Sequence, residues 1–344
     1  MGRKSSAAKA LLCALAILQG SAVPTWAQLS LHRLDSILTQ RYAAGDVDST
    51  YVARPPTKWT LAARLNVSGA SIEAEGIDRS AAALATHPDG QHFQSAMYAN
   101  LKTTVSVSVS YLGLTLSAAL NPAKLAGRYS DYEFNFNSYG RRFGFDVIYQ
   151  SAKNFTGWHN QEGMQRMQRM QLPDGMLAVR TLNLNAFYTL NHRRFSYPAA
   201  FTQSYLQRRS AGSLLLAASA MGQRATLDGE QPMRLATTNV SLGAGYAYNY
   251  VPAQGWLLHI SAVPTFVVFS NTSFTFGDAH VPLRYHFPEV IVTGRGALVR
   301  HWRNTYLGIS MVYNYANNGS PSSLAIHNSK WRIRTFLGIR LGKR

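Results

Sequence analysis

This chain is poor in cysteine, short of acids and without a long apolar run, and each shortage removes a class of protein. The single cysteine, Cys13, falls in a segment that reads as a removable export signal. The rest is therefore expected to carry no disulfide, no thiolate nucleophile and no cysteine metal ligand. No run of 18 apolar residues follows the signal, so no transmembrane helix is expected. Sixteen Asp and Glu face 34 Lys and Arg, a formal charge of +18. That excess calls for anionic surroundings, but no nucleic-acid motif accompanies it and nucleic acid is not an expected partner. The ten histidines are scattered, with no HExxH and no paired carboxylate–histidine motif, so neither a metal nor a cofactor is expected. "GAGYAY" (Gly243–Tyr248) opens like a dinucleotide fingerprint but lacks the third glycine and lies in a strand pattern.

What is present begins with "MGRKSSAAKALLCALAILQGSAVPTWAQ". Arg3, Lys4 and Lys9 form a basic start, Ala10–Leu18 an apolar centre, and Thr25-Trp26-Ala27 a cleavage site, the three parts of a signal peptide over residues 1–27. Its removal takes away three positive charges and leaves about +15. Residues 28–56 read as a periplasmic leader. Leu31, Leu34, Ile37 and Leu38 have helical spacing there, and Pro55-Pro56 end it.

From residue 57 the pattern changes to a period of two. "VSVSVS" (Val105–Ser110) alternates apolar and polar without a break. Tyr132, Phe134 and Phe136 oppose Asp131, Glu133, Asn135 and Asn137, and Trp331, Ile333, Leu337, Ile339 and Leu341 oppose Arg332, Arg334 and Arg340. Soluble sandwiches alternate too, but several of these runs are about twice the five or six residues usual for a globular strand. Tyrosines and tryptophans gather at the run ends, as membrane interfaces require. The fold class expected is therefore all-β: a transmembrane antiparallel up-and-down β-barrel of about 12 strands over residues 57–344. Short turns alternate with longer loops through the chain only if Phe195–Gly222 counts as a single crossing. Its middle, "QSYLQRRS" (Gln203–Ser210), then folds inward or bulges at the rim, and both chain ends lie in the periplasm.

Four segments carry a resemblance: "DSTYV" (Asp48–Val52), "YGRRFGFDVIYQ" (Tyr139–Gln150), "RRFSYPAAFTQSYLQRRSAGSLLL" (Arg193–Leu216) and "GAGYAYNYV" (Gly243–Val251). With them the chain resembles an uncharacterised family of outer-membrane β-barrel proteins of Gram-negative bacteria, known only as a domain of unknown function. The resemblance implies fold and location and no chemistry. One departure is Pro198, where the family often has a basic residue; in a strand, proline removes a ladder donor.

The inward face is expected to hold Asp131, Glu133 and Asp146 against Arg295, Arg332, Arg334 and Arg340 as an ion-pair ladder, since unpaired charge away from water is costly. The sharper expectation is a lumenal constriction in which Gln203, Gln207, Arg208, Arg209 and Ser210 face a path for small anionic solutes. The function that follows is a non-enzymatic narrow channel or structural envelope protein. Its partners are outer-membrane lipid, lipopolysaccharide and the barrel assembly machinery. Two alternatives remain. One is a phospholipase-like lipid hydrolase using Ser210 or Ser213, for which no spacing to His192, His259 or His301 fixes a base. The other is an adhesin working through loops 152–176 and 270–287, the first of which contains the repeat "MQRMQRMQ" with Arg166 and Arg169.

Overall fold

A computed structural model describes residues 47–79, 84–85, 87–111, 114–122, 132–161, 170–173, 175–229, 232–276, 279–282, 289–320 and 324–343. The signal segment, the first part of the leader, Asp131 and Arg166–Arg169 lie outside these residues, and the side chain of Glu133 is not described.

In chain order the elements are β1 (Val52–Ala53), β2 (Thr57–Asp78), β3 (Gln91–Ala99), β4 (Lys102–Tyr111), β5 (Leu114–Leu120), β6 (Tyr132–Tyr139) and β7 (Phe143–Ala152). Then come β8 (Phe155–Gln161), β9 (Met170–Gln171), β10 (Leu177–Thr189), α1 (Tyr197–Phe201), β11 (Leu206–Gln207), β12 (Ala211–Leu227) and β13 (Met233–Tyr250). The chain finishes with β14 (Trp256–Phe276), β15 (Ala279–Pro282), β16 (Val290–Trp302), β17 (Thr305–Ser320) and β18 (Leu324–Lys343).

Every ladder is antiparallel, and each strand from β12 to β18 pairs with its sequence neighbours, β15 being a short addition to β14. β18 pairs with β2, so the end of the sheet meets its beginning. Two passages change partner partway. β2 pairs with β4 over its first half and with β3 over its second, so Gln91–Tyr111 is one crossing interrupted at Asn100 and Leu101. Phe143–Gln161 is likewise one crossing: β7 pairs with β6 and β10, while its continuation β8 pairs with β3. The amide of Asn100 donates to the carbonyl of Asn154 (3.0 Å), tying the two breaks together. The sheet thus returns on itself through the β7–β8 passage, and twelve crossings result. Among the described residues β5 pairs only with β4, and β6 only with β7.

Alternation explains why this sheet curls. On β13 the even positions Leu242, Tyr246, Tyr248 and Tyr250 are exposed, while Ser241, Ala247 and Asn249 opposite them are buried. β14, β16, β17 and β18 repeat the pattern, exposing Leu258, Ile260, Leu298, Ile309 and Leu337. A surface this rich in exposed leucine and isoleucine is a lipid-facing one. Its height agrees. Trp59 is paired with Leu341, and Gly69, against the ring of Trp331, with Trp331 itself. About ten residues at roughly 3.3 Å each, tilted by 35–45°, make a band near 25 Å tall between these tryptophans. At the turn end Trp59 packs on Tyr111, and Arg300 lies over the rings of Trp256 and Trp302.

The structure differs from the sequence reading at the loop end. Asn317–Ser320 pair with Leu324–His327, and Met233–Ala236 with Arg224–Leu227, so the expected long loops at 317–329 and 223–235 are mostly ladder. Beyond the lipid band both faces meet water, backbone pairing continues, and no alternation is left to mark it. The stretch Phe195–Gly222 does make one net crossing, by β12. Its first part, however, is α1 and a turn, because these residues face a lumen that encloses them on all sides.

Placing a charge in the band tests the assignment. Ile309→Arg is expected to lower folding stability in phospholipid vesicles by about 2–4 kcal/mol, read by urea titration of tryptophan fluorescence. An unchanged midpoint would mean that Ile309 does not face lipid.

Candidate functional site: a stopper inside the turn end

The segment from Arg193 to Ser210 leaves the end of β10, enters the lumen and returns to start β12. A five-residue helix has no stability of its own, so α1 exists because of what surrounds it. Phe195, Tyr197, Ala199 and Ala200 are completely buried. Tyr197 has the rings of Phe187 at 4.5 Å, Phe201 at 5.0 Å, His259 at 5.3 Å and Tyr139 at 5.6 Å. Burial of a large apolar side chain contributes roughly 1.5–3 kcal/mol, and each aromatic pair adds about 0.5–1.5 kcal/mol. Gly144 makes room: a Cβ there would lie 2.2 Å from the Phe187 ring.

Pro198 stands in the first turn of α1, where its missing N–H costs nothing. This resolves the apparent conflict of a proline in a strand. Its carbonyl accepts from the amides of Thr202 (3.0 Å) and Gln203 (2.8 Å) and from Thr202 Oγ1 (3.1 Å). Gln203 ends the helix in the left-handed region at φ 55°, rare for a residue with a side chain. The strain is held in place: Gln203 Nε2 donates to the Ala200 carbonyl (2.9 Å), and Arg340 donates to the Gln203 carbonyl (3.1 Å).

Polar contacts fasten the stopper to the wall. Arg295 donates to Tyr197 Oη (2.5 Å) and to Asp146 Oδ2 (2.8 Å), while Tyr139 Oη donates to Asp146 Oδ1 (2.5 Å). Asp146 on β7 and Arg295 on β16 are separated in the sheet by four strands, so their ion pair reaches across the lumen. Asn249 Nδ2 donates to the Ser196 carbonyl (2.9 Å) and to Gln207 Oε1 (3.0 Å), and Gln207 Nε2 donates to the carbonyls of Arg194 (2.6 Å) and Arg209 (2.9 Å). Residues of β6, β7, β10, β13, β14, β16 and β18 thus converge on one segment, which only a sheet wrapped around it can arrange.

The last part of the leader closes over the outside of the stopper. β1 pairs with β11, Val52 is buried, the amide of Asp48 donates to the Arg193 carbonyl (2.9 Å) and that of Arg208 to the Tyr51 carbonyl (2.7 Å). The side chain and amide of Thr50 donate to Asp48 (2.6 and 3.0 Å), with Arg194 3.5 Å away. The Thr50 hydrogen bonds, followed by the arginine charges, hold the Asp48 carboxyl below its ordinary value.

Several site expectations change here. Gln203 and Gln207 do not face a solute path; they are buried and spend their amides inside the stopper, because a lumenal turn must satisfy its own carbonyls. Arg208 and Arg209 are exposed on its outer side, and Ser210 Oγ accepts from the Val251 amide (2.9 Å). Of the expected ion-pair ladder the pair Asp146–Arg295 is formed, while Asp131 and the side chain of Glu133 lie outside the described residues. Arg334 donates to Asn66 Oδ1 (2.8 Å), Arg340 turns to the Gln203 carbonyl and His301 (3.2 Å), and Arg332 is half-buried on the same face. Among these contacts Arg334 and Arg340 meet neutral acceptors.

Loopward of the stopper is a cavity of about 100 Å³. Its lining is mixed: Gln150, Asn183, Asn185, Gln223, Thr293, Asn314 and Lys330 share it with Ile72, Ile148, Phe155, Val179, Met221 and Ile291. One arrangement escaped the sequence reading. His259 Nε2 lies 3.1 Å from Ser261 Oγ, and its Nδ1 lies 2.7 Å from Asn249 Oδ1. The available signal was a His-x-Ser spacing on one face of β14. By contrast, Ser213 Oγ accepts from the Asn191 amide (2.9 Å) and donates to the Leu214 carbonyl (2.8 Å), with no histidine beside it among these contacts.

A lipid-facing antiparallel sheet rolled into a barrel around a segment of its own chain defines the class: a stoppered transmembrane β-barrel. The chain belongs to the family described as "Domain of unknown function (DUF4421)", which matches residues 46–340. No curated protein is a significant match. Similar solved structures include the outer membrane protease OmpT from Escherichia coli, 9% identical with a TM-score of 0.44, covering 84% of this chain and 98% of that one. Others are the β domain of the Bordetella autotransporter BrkA (11%, TM-score 0.32, 81% and 100% covered) and OprG from Pseudomonas aeruginosa (7%, TM-score 0.27, 84% and 98% covered). None of these bears on what the present chain does.

Two outcomes are expected. Asp146→Ala strands the buried Arg295 and should cost about 3–5 kcal/mol in the same urea titration, whereas Asp146→Ala with Arg295→Met should recover most of it. Because the Asp48 carboxyl is depressed, its contribution is complete above the ordinary carboxylate range near 3.8 and is lost as pH falls through the lower folded value. Hydrogen exchange at the Val52 amide, which donates to the Asp48 carbonyl (2.9 Å), should therefore lose protection only in that acid window.

Proposed function

We propose that this chain is a bacterial outer-membrane barrel, without catalysis, whose lumen is a narrow conduit held shut at its periplasmic end by its own residues 195–210. The observation that carries the reading is the cross-lumen fastening of Tyr197 and Gln203 by Asp146–Arg295 and Arg340, beneath a cavity of mixed lining on the loop side. A purely structural barrel has no need of a chamber ending at a stopper that is hydrogen-bonded to the wall. With the stopper withdrawn, Arg295, Arg334 and Arg340 would ring the opening and favour small anions.

Planar-bilayer recording tests this. Wild type should be silent or nearly so, and replacing residues 196–207 by a short Gly-Ser linker should give a steady anion-selective conductance. Tyr197→Ala with Phe201→Ala, a milder change, should give brief openings. If both variants fold, shown by heat-modifiable gel migration, and both stay silent, the conduit reading fails.

The Asn249–His259–Ser261 chain of contacts favours a second reading, hydrolysis of a lipid ester, with His259 as base and Asn249 orienting it. It ranks below the first because the rings of Tyr197 and Phe201 lie 5.3 and 5.0 Å from that of His259 and occupy the space an acyl group needs. Fatty acid release from phospholipid vesicles that disappears in Ser261→Ala would reverse the order.

A further inference from the structure

Three arginines stand on the outer wall, away from the lumen. Arg180, Arg224 and Arg234 occupy outward positions on β10, β12 and β13, and all are exposed. The register puts Arg180 directly opposite Arg224 and sets Arg234 diagonally from Arg224, two residues beyond the facing Ala236. Like charges facing each other across a ladder repel. The positions paired beside them bring no relief, being Ser151, Ala178, Thr226, Ala236 and Thr275. Such a cluster is stabilised when an anion sits on it, and guanidinium groups grip phosphate oxygens two at a time.

Its place on the wall selects the anion. On β10 the next outward residues towards the turn end are Leu182 and Leu184, exposed by 41 and 42%. The arginines therefore lie at the loop-end margin of the lipid-facing band, where headgroups begin. On β12 the next outward position below Arg224 is Gly222, paired with Leu182, and a Cβ there would meet nothing within 4 Å. A flat apolar strip thus leads down from the charges.

We infer that Arg180, Arg224 and Arg234 form a seat for a phosphate-bearing outer-leaflet lipid, its phosphates on the guanidinium groups and an acyl chain along Gly222 and Leu182. The seat depends on the barrel spanning a membrane and not on whether its lumen conducts.

The test uses the full exported chain in detergent micelles, with bisphosphorylated lipid A as probe and bound lipid counted by native mass spectrometry. Wild type should retain the lipid. Arg180→Gln, Arg224→Gln and Arg234→Gln together should weaken retention by at least about tenfold, as expected when several charge-assisted hydrogen bonds are lost. Lipid A stripped of its phosphates should bind wild type no better than intact lipid A binds the triple variant. Gly222→Leu, which keeps the charges and fills the strip, should weaken binding while leaving heat-modifiable migration unchanged. Equal retention by the triple variant, or indifference to the lipid's phosphates, would overturn the inference. So would displacement of the lipid by millimolar inorganic phosphate, which would make the site one for free anions.

Discussion

The structure rests on one constraint: a backbone amide or carbonyl in hydrocarbon has no water to turn to. Strands that expose Leu258, Ile309 and Leu337 to lipid must therefore pair along both edges. The sheet meets this by running from β7 through nine crossings back to β8, two halves of one passage. The partner exchange at Asn100 and Asn154 is the cost of fitting twelve crossings at one end and fewer at the other. Both breaks stay paired there through the Asn100–Asn154 hydrogen bond.

Closing a sheet creates an inside, and the inside must be filled or wet. Here the turn end is filled. Residues 193–210 supply aromatic bulk through Phe195, Tyr197 and Phe201, and the wall meets them with Tyr139, Phe187 and His259. The hydrogen bonds around this core are specific where the apolar contacts are not. Arg295 bridges the stopper to the opposite wall through Asp146, and Arg340 holds the strained Gln203 by its carbonyl. Loopward, the same faces mix Asn, Gln and Thr with Ile, Val and Phe and leave a cavity.

The basic charge of the chain serves two separate settings. Inside, Arg334 and Arg340 are met by the Asn66 side chain, the Gln203 carbonyl and His301. Outside, Arg180, Arg224 and Arg234 face one another with uncharged residues paired between them. The first arrangement meets acceptors of the chain's own, and the second sets like charges side by side.

Period-two alternation over long runs was enough to call for a lipid-facing barrel of twelve crossings, because the two faces of each strand meet different solvents and composition must follow. The same alternation assigned Asp146, Arg295 and Arg340 to the lumen. It fell silent where both faces are wet, so the loop-end extensions of β13, β17 and β18 were not legible. Phe195-Ser196-Tyr197 alternates like a strand and is in fact the entry to α1, since a segment enclosed on all sides feels no difference between faces. Nor does spacing along the chain reveal that Asp146 meets Arg295, that Gln203 turns its amide inward, or that Ser261 lies beside His259. Solvent sorts residues by face, and sequence records that sorting. Which inward residues meet is decided by the curvature of the closed sheet, a property no single strand contains.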